Sequence, residues 1–140
     1  MSDILKRARY KREQDRAVAN ADAHQRERDL SRFDFEMLDL YPRTLAESEV
    51  WLDGVHYPAM RSSGLLYVIY ECEGYAHPGY ECARRLMSDP GNLYALESLR
   101  VRGLLHLSVE ALILDKRFRY LFGAFEREEA ERRLGPEWSE

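Results

Sequence analysis

Residues 3–30 contain neither glycine nor proline and are rich in Ala, Arg, Glu and Gln. Those side chains lose little freedom in a helix, so local preference over the whole stretch favours one long helix. The same stretch gives that helix almost nothing to bury. Its larger apolar residues, Ile4, Leu5, Tyr10, Val18 and Leu30, do not form a wide stripe at 3.6-residue spacing. The heptads of a coiled coil are missing too. A helix of this kind draws little stability from packing, so it is expected to project, fray or await a partner.

The charge divides along the chain. Residues 1–32 carry nine Lys and Arg against six Asp and Glu, net +3, and residues 33–140 carry twelve against nineteen, net −7. We therefore read 1–32 as a charged helical N-terminal arm and 33–140 as a single globular α-helical domain. Within the arm, Lys6, Arg7, Arg9, Lys11 and Arg12 form the one dense basic cluster. Such clusters are the usual footprint of contact with phosphate or an acidic surface. The plainer reading is a solvated helix face.

After the arm, Ser31 is placed to cap a new segment in which Phe33, Met37, Leu38 and Leu40 begin the apolar content, and Pro42 discourages helix at Tyr41. Thr44 and Glu47 match a capping box and Gly54 a helix stop, predicting a short helix over 45–53. Residues 65–70 gather β-branched and aromatic side chains and suit either one short strand or a buried helix turn. Helical spacing returns at 78–88, behind Pro78, and again after the breakers at 88–91. Gly103 marks a helix end or tight bend. Ser108 is placed to cap 109–115, whose Val109, Ala111, Leu112, Ile113 and Leu114 leave almost no polar face and predict the most buried helix. A last helix carries Glu128–Arg132 and Glu129–Arg133 at the favourable spacing and stops at Gly135-Pro136. Fold class follows: all-α, a compact bundle of five or six helices with a long polar N-terminal helix.

No apolar run approaches the roughly 20 residues that span a bilayer. Residues 1–12 lack a secretory pattern, so the expected location is the cytoplasm. Cys72 and Cys82 are expected to be reduced thiols rather than a disulfide framework. Phosphate loops, dinucleotide fingerprints, zinc-protease motifs and nucleophile elbows do not occur.

The most unusual local segment spans 70–82, where Tyr-Glu-Cys occurs twice around His77. Cys72, His77 and Cys82 suggest zinc, but their five-residue steps differ from the close pairs of structural sites, so no metal and no cofactor is expected. Tyr70, Tyr75, His77 and Tyr80 alternatively make a recognition surface of aromatic bodies with polar tips. Arg100 and His106 resemble the Arg-x(4–6)-His element of helical HEPN ribonucleases, which implies a metal-free ribonuclease with those two residues catalytic. The likeness covers two residues, and Val101 departs from the polar residue usual after that Arg. Residues 95–114 also lie loosely on a helix-turn-helix, although 109–114 offers base edges only Glu110.

These readings order the functions. First stands a non-enzymatic binding or regulatory protein whose basic arm contacts a protein partner. A nucleic-acid-binding protein using the same five cations comes second, and the ribonuclease third. Self-association is left open.

Overall fold

A computed structural model describes residues 3–47, 50–52, 55–57, 70–89, 93–136 and 138. Its first helix, α1, runs from Asp3–Glu47 without a break. At 1.5 Å per residue it is about 68 Å long. Neither Ser31 nor Thr44 starts a helix, and Pro42 lies inside one. The reason is burial on one face. Leu30, Phe33, Met37, Leu40 and Thr44 recur at alternating steps of three and four residues, and all five are buried. An interior proline costs about 3 kcal/mol, an amount that the burial of Leu40 and Thr44 on either side of it can offset.

The short helix expected over 45–53 is replaced by the end of α1 and by β1 (Val50–Leu52), which pairs antiparallel with β2 (Val55–Tyr57), Trp51 facing His56. The two intervening residues, Asp53 and Gly54, are the dipeptide that favours tight hairpins, a signal spent on a helix stop in the sequence reading. The strand alternative at 65–70 lies outside the described residues, apart from Tyr70, which is helical.

Among the described residues four further helices are bounded at both ends: α2 (Pro78–Ser88), α3 (Leu93–Val101), α4 (Val109–Leu114) and α5 (Ala124–Leu134), and the body is all-α. Single 3-10 turns at Leu105–Leu107 and Arg119–Leu121 join the later ones. Ser108 caps α4 as expected, its hydroxyl accepting from the Ala111 N–H at 3.0 Å, and every residue of that helix is buried. Gly103 closes α3: its φ is +71°, the Leu104 N–H reaches Leu99 O at 2.9 Å and its own N–H reaches Arg100 O at 3.1 Å. This is the paired closure that a left-handed residue permits.

The core centres on Phe33 of α1. Its ring meets Phe118 and Phe122 at 5.3 and 5.2 Å, edge to face, and Tyr80 at 6.4 Å. The second half of α1 is therefore part of the packing centre. The apolar run of the last third supplies the other walls through Leu112, Ile113, Phe118, Leu121 and Phe122. Phe125, three residues beyond Phe122, is exposed.

Candidate functional site

Residues 3–28 of α1 are all exposed, and burial begins at Leu30. Lys6, Arg7, Arg9, Lys11 and Arg12 all lie on this free half. At 3.6 residues per turn they point to every side of the helix, a collar rather than a stripe. Arg12 Nε donates to Ala8 O at 3.4 Å. Among the described residues none of the five forms an ion pair. Glu13 and Asp15 follow Arg9 and Lys11 at four residues, but with the cation first, the weaker order along a helix. Lys6 and Arg7 also lie near the positive end of the helix dipole, which cations oppose. Between them stand Ile4, Leu5 and Tyr10, with Val18 further along, each more than half exposed.

The body grips α1 at a clasp that sequence reading could not assemble. His77 precedes α2 and offers that helix no side-chain cap. Asp34 of α1 supplies one from 46 residues away: its Oδ1 accepts the Tyr80 N–H at 2.8 Å, and its Oδ2 lies 2.8 Å from His77 Nδ1. The other ring nitrogen, Nε2, lies 2.8 Å from Glu27 Oε1. Both contacts are hydrogen bonds together only when both ring nitrogens carry protons. Gly79 makes the approach feasible, since a Cβ there would stand 2.9 Å from the Asp34 Cα and Oδ1. Tyr80 closes the arrangement by donating its hydroxyl to Leu121 O at 2.6 Å. The groups that sequence reading offered as a recognition surface thus divide. His77 and Tyr80 turn to partners within the chain, whereas Tyr70 and Tyr75 stay exposed, Tyr75 accepting from Arg85 at 3.1 Å.

Cys72 and Cys82 are buried free thiols. Burial pushes the Cys82 thiol up to about 12, with Cys72 adding to the rise and Arg85 opposing it. With His77 held by two carboxylates, this trio is not gathered as ligands, and among the described residues no three His, Cys, Asp or Glu side chains converge on a metal position.

Arg100 is turned to backbone carbonyls. Arg100 donates Nη1 to Leu134 O at 2.9 Å and Nη2 to Arg133 O at 2.6 Å, sealing the carboxyl end of α5. Arg119 does the same for α4 through Leu114 O, at 2.7 and 3.1 Å. Arg133, almost wholly buried, reaches Met87 O and Asp89 O at 3.2 Å at the carboxyl end of α2, Glu129 at 2.8 Å and Glu110 at 3.5 Å. Three arginines thus occupy helix carboxyl ends, where free carbonyls and the helix dipole favour cations. Burial raises the Glu110 carboxyl, a rise that Arg133 partly offsets. Glu129, hydrogen-bonded by Arg132 and Arg133, falls to about 2.

His106 is exposed and lines a cleft of about 460 Å³ between α1, α4 and Trp138. Comparison with models of protein families, with curated proteins and with solved structures finds no match to this chain. Among the described residues no helix is long and apolar enough to cross a membrane.

Proposed function

We propose that the chain is a non-enzymatic binding protein that engages an acidic protein partner through the first half of α1. The observation supporting this reading is the solvent exposure of residues 3–28, which leaves five cations without an ion pair among the described residues and sets aliphatic and aromatic side chains between them. A helix without packing is only marginally stable. An anionic surface would neutralise the collar, relieve the cations opposed to the helix dipole and cover Ile4, Leu5 and Tyr10 in one event. Asp34, Gly79 and His77 anchor the root of the arm to the body, so the arm acts as a mounted probe.

Cross-linking in the host tests it. A photoreactive residue in place of Tyr10 is expected to trap a discrete protein, and the same group in place of the exposed Val101 is expected not to. Reversal of Lys6, Arg7 and Arg9 to Glu should abolish the adduct. Equal adducts from both positions, or an adduct indifferent to charge reversal, would refute the assignment.

A second reading, nucleic-acid binding, draws on the collar itself: a helix lying in a groove meets phosphates on both flanks, which cations on all sides suit. Five phosphate contacts would give a slope of log affinity against log salt of about −3.5 to −4.5 in a gel-shift series. The aliphatic side chains of the arm favour the protein partner, since a phosphate backbone offers them nothing to pack against.

A further inference from the structure

We infer that the cleft between α1, α4 and Trp138 binds a small organic anion, a carboxylate or phosphate ester borne on a planar or apolar body. The volume of about 460 Å³ is of the size that holds small molecules. Glu36, Leu40 and Arg43 reach it from one stripe of α1, at steps of four and three residues, and α4 with its following turn forms the opposite wall. Leu40, Ala111, Leu112 and the Trp138 ring provide its apolar lining.

The charge lining the cleft is sorted. Its two carboxylates are already engaged: Arg117 donates to both oxygens of Glu36 at 2.9 Å and to Asp115 at 3.0 Å. Arg117 also holds the Asp115 carboxyl below its ordinary range. The Leu114 carbonyl, at the negative end of α4, is taken by Arg119. What remains for a ligand is positive. Arg43 and Lys116 are exposed at the cleft, and among the described residues neither forms an ion pair. On a body whose net charge is −7, two uncommitted cations beside one apolar cleft are a local reversal of sign. Trp138 reports on the cleft it lines, and its Nε1 is the one buried side-chain nitrogen or oxygen without a hydrogen-bond partner among the described residues. An anion seated on the apolar lining would meet the two cations, with the Trp138 ring in the same wall.

Titration followed by the indole N–H resonances tests the inference, Trp138→Phe identifying the signal that belongs to the cleft. The full chain is titrated with phenyl phosphate and phenylacetate, and with inorganic phosphate and benzyl alcohol as the headgroup and the body alone. Saturable movement of the Trp138 signal is expected with phenyl phosphate or phenylacetate at millimolar or lower concentration, the tighter of the two naming the headgroup. Arg43→Ala and Lys116→Ala, both exposed and so expected to leave folding intact, should each weaken that binding about tenfold, and Lys116→Arg should restore it. No saturable movement with either aryl anion would overturn the inference. So would benzyl alcohol or inorganic phosphate binding as tightly as the aryl anions, or unchanged affinity in both alanine variants. Charge reversal at Lys6, Arg7 and Arg9 does not bear on this result, which keeps the cleft and the partner-binding reading separable.

Discussion

Replacing Asp34 by Ala removes two bonds at once, both from a carboxylate that is mostly buried, with 17% of its side chain exposed. The bond to the Tyr80 N–H serves as the amino-terminal cap of α2, and losing such a cap costs about 0.5–2 kcal/mol. The bond to His77 is charge-assisted and contributes about 1.5–3 kcal/mol. The two share one carboxylate, so their loss does not add fully, and we expect about 2–4 kcal/mol in urea unfolding. In thermal unfolding that is a fall of about 5–15 °C for a chain of this length. Asp34→Asn keeps an acceptor for Tyr80 but loses the anion beside His77, so it should fall between the parent and Asp34→Ala. Glu27, whose side chain is 66% exposed, faces the same imidazole from the solvent side, and its removal should cost less than about 1 kcal/mol. A double-mutant cycle between Asp34 and His77 should return a coupling of at least about 1 kcal/mol. If Asp34→Ala shifts stability by less than about 0.5 kcal/mol, or matches Glu27→Ala, the clasp does not hold α1 to α2 and the reasoning fails.

Gly79→Ala drives a methyl group into the Asp34 backbone and should destabilise by about 1–3 kcal/mol, read from the urea midpoint; an unchanged midpoint would show that α1 and α2 are not in close contact there. Cys72 and Cys82 should resist a thiol reagent such as dithionitrobenzoate in the native protein and react fully in urea, because both are buried and the Cys82 thiol is pushed up to about 12; fast native reaction would contradict their placement. Acid titration should separate two carboxylates of opposite sign. The depressed Glu129 contributes stability above its unfolded value that is lost as pH falls from about 4.3 toward 2, and Glu129→Gln should flatten that limb. The raised Glu110 does the reverse: its stabilisation is complete at low pH and lost as pH rises through its elevated value. Glu110→Gln should therefore gain on the parent between acid and neutral pH, and a thermal-midpoint difference that does not change with pH would refute the assignment.

Much of the body was legible because its signals are local. Pro78 and the spacing of Tyr80, Ala83, Leu86 and Met87 announce α2, Ser108 announces α4, and Gly103 and Gly135, both at positive φ, close α3 and α5. The reading failed where tertiary contact overrode a local rule. Ser31, Pro42 and Thr44 all spoke for helix boundaries, yet Phe33 and its stripe carry α1 through them. Gly54 was read as a helix stop, and the antiparallel pairing of Val50 with Tyr57 on either side of it overrules that reading. Along α5, Glu129 takes both Arg132 and Arg133, where spacing had also paired Glu128 with Arg132. Of the candidate sites, the basic cluster could be read directly, because it needs no partner to exist. The clasp at His77 could not: its acceptors lie 43 and 50 residues away on another helix. The arginine excess, eighteen of twenty-one cations, carried no reading alone, and in the fold Arg100, Arg119 and Arg133 show one use for it, sealing helix ends with a two-pronged donor.

Native-state hydrogen exchange along α1 addresses most directly the claim on which the rest depends, that one helix has a free half and a core half. Amides of residues 31–44 should exchange only through global or near-global opening, and those of residues 5–25 should exchange orders of magnitude faster, with the change in protection falling near Glu27 and Leu30. Uniform protection from Asp3 to Glu47, or fast exchange at Phe33 and Met37, would contradict it.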